Sequence, residues 1–529
     1  MVIKLTPNQL APSIAFTMSL AIGATGAMAQ DRPDIVIAVE GLFRTMEPID
    51  GNSTTGGRVH PNIYDTIVAR NYVDDPDGTE LEAAIATEWE MTDDLTWQFT
   101  IREGVTFHNG DPLTAEDVAF TLSEERIWGE DALVPAGQRF TDNIVRVEAV
   151  DDYLVEVELS APDSNLPYRF ITPLGYVVPK DHYLEVGLEA FGQNPIGTGP
   201  YRVVDFDSTS HIRLEAFDDY WGGTPPAQSI EFRVVPEYSA RLAGMVSGEF
   251  DLMVNIPTDE AETLDQYDNI DYIVRPIPNI VMLAYNTLEL PEFGENPVAD
   301  RKLRYAMTAA IDREGLVEAL WGDATYAPAP FNFRDFTIFY DPDVEPLIQY
   351  DPEQARAYLE ASDYDGEEVV VNVTRDAWPN FQIATEYLAE QWNALGINVR
   401  LNVVDSWALA LQHPYGLLNM SMSTEFDGSP TRAIWGFWGP NSARATRESD
   451  RNWTPPEEFV ELGEQYLVEA DPERRVELFR EMVRIWEEVQ PALMLWSNVA
   501  NWAVRDGLEW RSINSTRMPM GPGFLTVSD

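Results

Sequence analysis

The chain contains no cysteine and hardly any lysine: Lys4, Lys180 and Lys302 are its lysines, against 89 acidic residues. The missing cysteines exclude disulfides, thiol catalysis, iron–sulfur clusters, cysteine-ligated zinc and a lipoprotein anchor. A formal net charge of −54 repels phosphate backbones and argues against nucleic acid as a partner. Since the acids are spread along the whole chain, we interpret them as serving solubility in a saline medium rather than capture of a cation.

Long uncharged hydrophobic runs are also missing beyond the N-terminal region. Lys4 is the only charge before Asp31, and the apolar stretch Ser13–Ala27 is shorter than the roughly 20 residues that span a bilayer. It ends in Ala27-Met28-Ala29, a small-x-small pattern typical of signal-peptidase cleavage. We therefore predict a cleaved signal peptide over residues 1–29 and a mature protein that is soluble in the periplasm.

The length of 529 residues predicts more than one lobe, because single hydrophobic cores stop growing at about 250–300 residues. Strand and helix patterns alternate throughout, which favours the α/β class. Alternation on both sides of Asp151-Asp152 predicts a hairpin over Val145–Leu159. A strand–helix–strand unit is predicted over Val369–Val373, Ile383–Leu395 and Ile397–Val404.

Further helices are predicted from capping residues and apolar spacing. One begins after Thr114 and another after Asp351, and Gly396 is the expected C-cap of the helix that precedes it. The remaining predicted helices span Val59–Val68, Ala299–Leu320 and Pro472–Val489.

Signatures of catalysis and metal binding are missing as well. The sequence contains no G-x-S-x-G and no H-E-x-x-H motif. No two of the five histidines stand at the spacing of metal ligands: His60, His108, His182, His211 and His413. We predict no catalytic residues, no metal and no cofactor. A periplasmic glycan or peptide hydrolase with a carboxylate pair among the many acids is the remote alternative.

Five stretches in order resemble the solute-binding proteins of peptide/nickel ABC transporters, known as family 5. The first is the segment Leu81–Leu122, L-E-A-A-I-A-T-E-W-E through T-A-E-D-V-A-F-T-L. The second comprises N-P-I-G-T-G-P-Y-R-V, D-D-Y-W-G-G and S-G-E-F-D-L, and the third comprises A-Y-N-T and R-K-L-R-Y-A-M-T-A-A-I-D-R-E-G-L-V. The fourth and fifth are Y-D-P-E-Q-A-R-A-Y-L-E-A and I-W-E-E-V-Q-P-A-L-M-L-W. The resemblance implies a transport receptor without catalytic activity.

The implied architecture is a two-lobed periplasmic binding protein fold with mixed sheets, an extra subdomain in lobe one and a two-strand hinge. Lobe one would comprise residues 31–276 and 498–529, with its subdomain at about 66–190, and lobe two residues 277–497. The hinge crossovers would lie near Arg275–Asn286 and Pro491–Val504.

The resemblance also implies where the ligand binds. The loop after the first strand, with Glu40, Gly41 and Phe43, would cap it. Arg375 in V-T-R-D-A-W-P-N stands where dipeptide binders keep an arginine, whose fork suits a carboxylate. The alternative for Arg375 is a surface ion pair.

The amine-binding stretch departs from the family pattern. Dipeptide binders carry D-x-G-D-P-D, whereas this chain has T-E-F-D-G-S-P-T-R from Thr424 to Arg432. Phe426 takes the anchoring position, and Asp427 lies one residue away. Either Asp427 replaces the anchor by a small loop shift, with Arg432 beside it, or the ligand has no free α-amine.

Aromatic residues crowd the same region, and we expect two or three of six to line the cleft: Trp378, Trp407, Phe426, Trp435, Phe437 and Trp438. The implied ligand is a peptide or peptide-like polar solute, and an oligosaccharide or an opine-like conjugate is the alternative. The implied partners are an inner-membrane ABC permease with its ATPase subunits. We expect a monomer.

Overall fold

The computed structural model describes residues 32–75, 78, 80–141, 143–163, 165–257, 260–375, 377–423, 430–447, 451–469 and 471–527. The strands within these residues are β1 Asp34–Val39, β2 Val68–Arg70, β3 Leu81–Ala83, β4 Ala86–Asp93, β5 Thr96–Ile101, β6 Ile144–Asp151, β7 Leu154–Leu159, β8 Tyr201–Asp207, β9 His211–Ala216, β10 Ser229–Val234, β11 Leu252–Val254, β12 Ile270–Tyr285, β13 Val369–Thr374, β14 Val399–Val404, β15 Leu417–Ser423, β16 Ala492–Arg505, β17 Leu508–Trp510 and β18 Leu525–Val527. The α-helices are α1 Thr54–Ile63, α2 Ala115–Thr121, α3 Leu166–Arg169, α4 Lys180–Gln193, α5 Tyr238–Ser247, α6 Ala261–Leu264, α7 Arg301–Ala309, α8 Arg313–Trp321, α9 Pro352–Glu360, α10 Phe381–Leu395, α11 Trp407–Ala410, α12 Ala443–Thr446, α13 Glu457–Val468 and α14 Pro472–Val489.

A mixed ten-stranded sheet runs through the molecule in the order β14-β13-β15-β12-β16-β11-β1-β10-β9-β8. β1 pairs in parallel with β10 and β11, and β13 pairs in parallel with β14 and β15. Between these two groups lie β12 and β16, which pair with each other in antiparallel orientation. The two groups of strands are thus joined by one pair of long strands, as expected for the two-strand hinge.

Helices cover both faces of this sheet, as the burial along β12 shows. Ile280, Met282 and Ala284 belong to one hydrophobic cluster, and Val281, Leu283 and Tyr285 to another on the opposite face. Successive side chains of a strand point to opposite faces, so an uninterrupted apolar run is what a sheet covered on both sides requires.

A separate four-stranded antiparallel sheet, in the order β4-β5-β7-β6, lies within the predicted subdomain. The predicted hairpin is confirmed: β6 and β7 pair across the turn at Asp152 and Tyr153. The predicted strand–helix–strand unit is confirmed too, because β13 and β14 are parallel neighbours connected through α10.

Two helix predictions need correction. The predicted helix Ala299–Leu320 is two helices, α7 and α8, because the Asp312 carboxylate accepts a hydrogen bond from Gly315 N at 2.8 Å and caps a new start. The helix predicted over Val59–Val68 starts earlier, at a cap provided by Ser53, and ends at Ile63. Val68 instead begins β2.

Among the described residues, no helix has the length and apolar character needed to cross a membrane.

Candidate functional site

A cavity of about 780 Å³ opens at the two long strands, β12 and β16, between the two halves of the sheet. Its wall on the β1 side is formed by Thr54, Arg58, Asn255, Ile256, Pro257 and Thr516. Its floor on β12 and β16 is formed by Ile277, Asn279, Asn498, Val499, Ala500 and Asn501. Its wall on the β13 side is formed by Ala377, Trp378, Pro379, Asn380, Phe381, Gln382 and Ile383. This volume is within the range of about 300–1,000 Å³ typical of small-molecule sites.

Two prolines interrupt the strand pairing at the cavity floor. Pro276 and Pro278 lack the N–H that a central strand donates, and the pairing of β12 with β16 breaks between Pro276 and Ile280. Residues 277–279 therefore lie opposite Asn498 alone, which is a β-bulge. Two serine hydroxyls satisfy the freed carbonyls: Ser497 Oγ donates to Ile277 O at 2.8 Å, and Ser423 Oγ to Pro278 O at 3.3 Å.

The β1-side wall carries a buried arginine held by a carboxylate and an amide. Arg58 Nη1 lies 3.1 Å from Glu40 Oε1, and its Nη2 donates to Asn255 Oδ1 at 3.0 Å. Asn255 Nδ2 donates in turn to Glu40 Oε1 at 2.6 Å. Asn255 adopts a left-handed conformation with φ of 54°, which asparagine tolerates better than most residues. The three side chains form a closed triangle at the rim of the cavity.

A second arginine supports this triangle from behind. Arg241 Nη2 donates to Asn255 O at 3.1 Å, and its Nη1 donates to Val235 O and Pro236 O. Burial lowers the pKa of Arg241, and the charge of Glu40 opposes that effect. The β1-side wall therefore combines two buried guanidinium groups with one partly exposed carboxylate, and we expect it to attract a negatively charged ligand group.

The opposite wall is a helix start with an aromatic face. Trp378 precedes α10 and contacts Phe381 edge to face, with 5.0 Å between ring centroids. Phe381 is buried in the core beneath it. Trp378 is the described member of the six predicted cleft aromatics that lines the cavity.

The structure places the other aromatic candidates elsewhere. Trp438 is wholly buried between Trp453 and Trp486, so it serves the core rather than the cleft. Trp435 packs against Phe459. The other two described candidates also lie away from the cavity wall: Trp407, which is 39% exposed on α11, and Phe437, which packs against that core cluster.

The residues of the predicted cap loop lie in two different environments, the cavity rim and the core. Glu40 reaches the cavity rim through Arg58, and Gly41 follows it with open space where a side chain would stand. Phe43 is 9% exposed and packs against His60 and Phe206, with ring centroids 5.3 and 6.2 Å away. Its ring thus lies in the core.

The charged candidates also lie outside the cavity wall. Arg375 Nε lies 3.1 Å from Asp405 Oδ1, in an ion pair whose side chains are 53% and 82% exposed. The Arg432 guanidinium lies 5.7 Å from the ring centroid of Phe140. Phe426 and Asp427 fall outside the described residues.

Most residues that line the cavity were not predicted from sequence motifs. Asn279, Asn498 and Asn501 belong to no chemical signature, because lone asparagines are common in turns and caps. The R-P-I-P-N segment could have indicated this site, because two prolines interrupt an otherwise apolar strand there. Among the described residues, no group of three or more histidine or acidic side chains is arranged to hold a metal ion.

A mixed sheet whose two halves are joined by one pair of long strands, with a cavity at that pair, is typical of two-lobed binding proteins. The family model "Bacterial extracellular solute-binding proteins, family 5 Middle" matches residues 80–445. The chain belongs to this family and is a solute-binding transport component.

Individual relatives extend the likeness beyond the matched segment. A glutathione-binding protein of Pectobacterium atrosepticum is 28% identical over 400 residues, 73% of each chain. The dipeptide-binding protein of Escherichia coli is 25% identical over 453 residues, 79% of this chain and 81% of the relative. The solved ABC transporter substrate-binding protein CtaP of Listeria monocytogenes superimposes with a TM-score of 0.82 at 21% identity, over 94% of this chain and all of its own.

Proposed function

We propose that this protein is the periplasmic binding component of an ABC importer, which captures a peptide or peptide-like polar solute between its lobes and delivers it to an inner-membrane permease. The observation that carries the proposal is the cavity of about 780 Å³ at the strand crossing, with walls from both halves of the sheet. Relatives named for glutathione and dipeptide binding support the peptide class.

Capture works by closure of lobe two, residues 277–497, onto lobe one, residues 31–276 and 498–529, with the bulged strands as the hinge. A ligand that contacts both walls binds the closed state more tightly and shifts the population toward it. The protein acts as a monomer after removal of residues 1–29.

Arg375 is the proposed anchor for the ligand's carboxylate, and Asp427 is the proposed partner of its amine. The present partner of Arg375 is Asp405, which is largely exposed. Exposed ion pairs contribute little free energy, typically about 0–1 kcal/mol, so a ligand carboxylate can replace Asp405 at small cost. Arg58 offers a second cation, on the β1-side wall of the cavity.

A sugar-derived ligand, either an oligosaccharide or an opine, is the second candidate. The Trp378 face and the many carboxamides of the cavity suit the apolar faces and hydroxyl groups of a sugar. A solved protein that binds mannopinic acid shares the fold, with a TM-score of 0.72 at 20% identity.

The test is a thermal-shift screen of residues 30–529 against di- to pentapeptides, glutathione, mannopinic acid and oligosaccharides, followed by calorimetry of each hit. Ligand at a hundred times its Kd stabilises the folded state by about 2.7 kcal/mol. A shift with peptides that Arg375→Ala abolishes supports the proposal, and shifts with sugars alone contradict the peptide class. Mass spectrometry of the recovered ligand separates a receptor, which returns it intact, from a hydrolase.

A further inference from the structure

The bulge in the hinge brings together two carboxamide side chains with unused hydrogen-bonding groups. Asn279 is the last of the three bulged residues on β12, and Asn498 is the single residue opposite them on β16. Both side chains line the cavity floor. Bulges redirect side chains next to binding sites, and this one presents two amides where the strands cross.

Asn279 lacks a partner for one end of its amide. Its Nδ2 lies 3.5 Å from Ser421 Oγ, and its buried Oδ1 accepts no hydrogen bond from the described part of the chain. Because the serine hydroxyl can both donate and accept, turning the amide over would only transfer the deficit from oxygen to nitrogen. A buried polar atom without a partner destabilises the protein, and a ligand that supplies the partner removes this cost.

Asn498 offers the complementary group. Its Oδ1 accepts from Val499 N at 3.0 Å, and no described residue accepts a hydrogen bond from its Nδ2. The floor therefore holds a buried acceptor without a partner on Asn279 and a donor on Asn498.

The other floor carboxamide is fully engaged. Asn501 Nδ2 donates to Ile256 O at 2.8 Å, and its Oδ1 accepts from Ile256 N at 2.8 Å. Asn501 thus fixes the strand to the neighbouring loop, whereas Asn279 and Asn498 remain available to a ligand.

We infer that Asn279 and Asn498 form a subsite that recognises one amide group of the ligand: the Asn279 amide turns so that its buried Oδ1 accepts from the ligand's N–H, and Asn498 Nδ2 donates to its C=O. The inference builds on the proposed peptide-type function and names the group that is read. It requires no charge at the ligand's ends, so it holds for a blocked peptide as well as for a free one.

The first test uses the smallest amide, so that it does not depend on which peptide binds. In mature protein labelled with ¹⁵N-asparagine, the side-chain NH₂ signals are assigned by their loss in Asn279→Ser and Asn498→Ser. Titration with N-methylacetamide is expected to shift both signals, and methyl acetate, which lacks the N–H, is expected to shift them much less. Equal shifts with both compounds, or none with either, overturn the inference.

The second test measures discrimination in a full-length ligand. Calorimetry compares tetraalanine with its three analogues in which one amide is replaced by an ester. At one position the wild type is expected to lose roughly tenfold in affinity, the size of one hydrogen bond. Asn279→Ala is expected to bind that analogue and the parent within about twofold of each other.

Controls separate this role from a general loss of folding. Gln354→Ala removes an exposed carboxamide on α9 and is expected to keep the tenfold discrimination. If Asn279→Ala melts early, Asn279→Leu, which keeps the approximate size of the side chain but has no acceptor, serves in its place. Unchanged discrimination in a folded Asn279 variant refutes the subsite. If the wild type binds no peptide, the peptide assignment fails, and the N-methylacetamide titration still decides the inference.

Discussion

Removing one charge from the buried ion pair between Glu47 and Arg126 should destabilise the folded protein strongly. Arg126 Nη2 lies 2.5 Å from Glu47 Oε1, and neither side chain is exposed. Glu47 Oε2 also accepts from Ile49 N at 2.8 Å and Asp50 N at 2.7 Å, which fixes the turn that follows the Glu40 loop. Arg126→Met leaves this carboxylate buried without its cation, and breaking such a pair costs about 3–5 kcal/mol.

The assay is thermal unfolding of residues 30–529 for Glu47→Gln, Arg126→Met and the double variant. With an unfolding entropy of about 2.1 cal/mol/K per residue, a 500-residue chain loses about 1 °C per kcal/mol, so Arg126→Met should lower Tm by about 3–5 °C. The double variant, which buries no unpaired charge, should be more stable than Arg126→Met. Arg146→Met, on an exposed cluster with three glutamates, is the matched control and should change stability by less than about 1 kcal/mol. Equal effects at Arg126 and Arg146, or fully additive single changes, would refute the reasoning.

Three further results are expected. Burial raises the pKa of Glu487 from 4.5 to about 7, so the folded state keeps a proton that the unfolded chain releases, and stability falls as pH rises through that window. The free energy of unfolding of Glu487→Gln relative to wild type, measured in urea, should therefore rise by about 3 kcal/mol between pH 4.5 and pH 8. A difference that does not change with pH would contradict this. Trp378→Ala should weaken binding of the best hit of the screen by roughly tenfold in calorimetry, while the exposed Phe293→Ala leaves it unchanged. Raising NaCl from 10 mM to 1 M should raise Tm by screening the net charge of −54, and a parallel steep change in Kd would place acidic groups in the site.

The fold could be predicted largely because its signals are local. Pro472 at a helix start predicted α14 with both of its observed ends, and Gly396, with φ of 106°, is the left-handed C-cap that its position indicated. The helix over Ala299–Leu320 was harder, because its apolar spacing continues through a break that only the Asp312 cap reveals. Periodicity locates an apolar face, whereas caps decide where a helix begins and ends.

The site could be predicted only in part, because a cavity depends on distant segments. Trp378 was identified from a stretch of sequence that also carries Arg375, yet one side chain lines the cavity and the other points to an exposed partner. Trp438 looks the same as Trp378 in sequence and is buried in the core. What separates them is tertiary packing, and no local pattern encodes it.

The composition of the cavity wall argues that the acidic charge and the ligand chemistry of this protein are independent. Acidic residues make up 89 of the 529 residues, so a wall of nineteen would carry about three of them if it were typical of the chain. Among the described residues that line the cavity there are none: Arg58 is the charged side chain of the lining, and the Glu40 carboxylate lies at the rim in its ion pair with Arg58. If the acids served to capture a cation, the site would be where they concentrate. The described lining instead combines an amide-lined floor with the Arg58 guanidinium, a surface suited to hydrogen bonds and to a negative ligand group rather than to a captured cation.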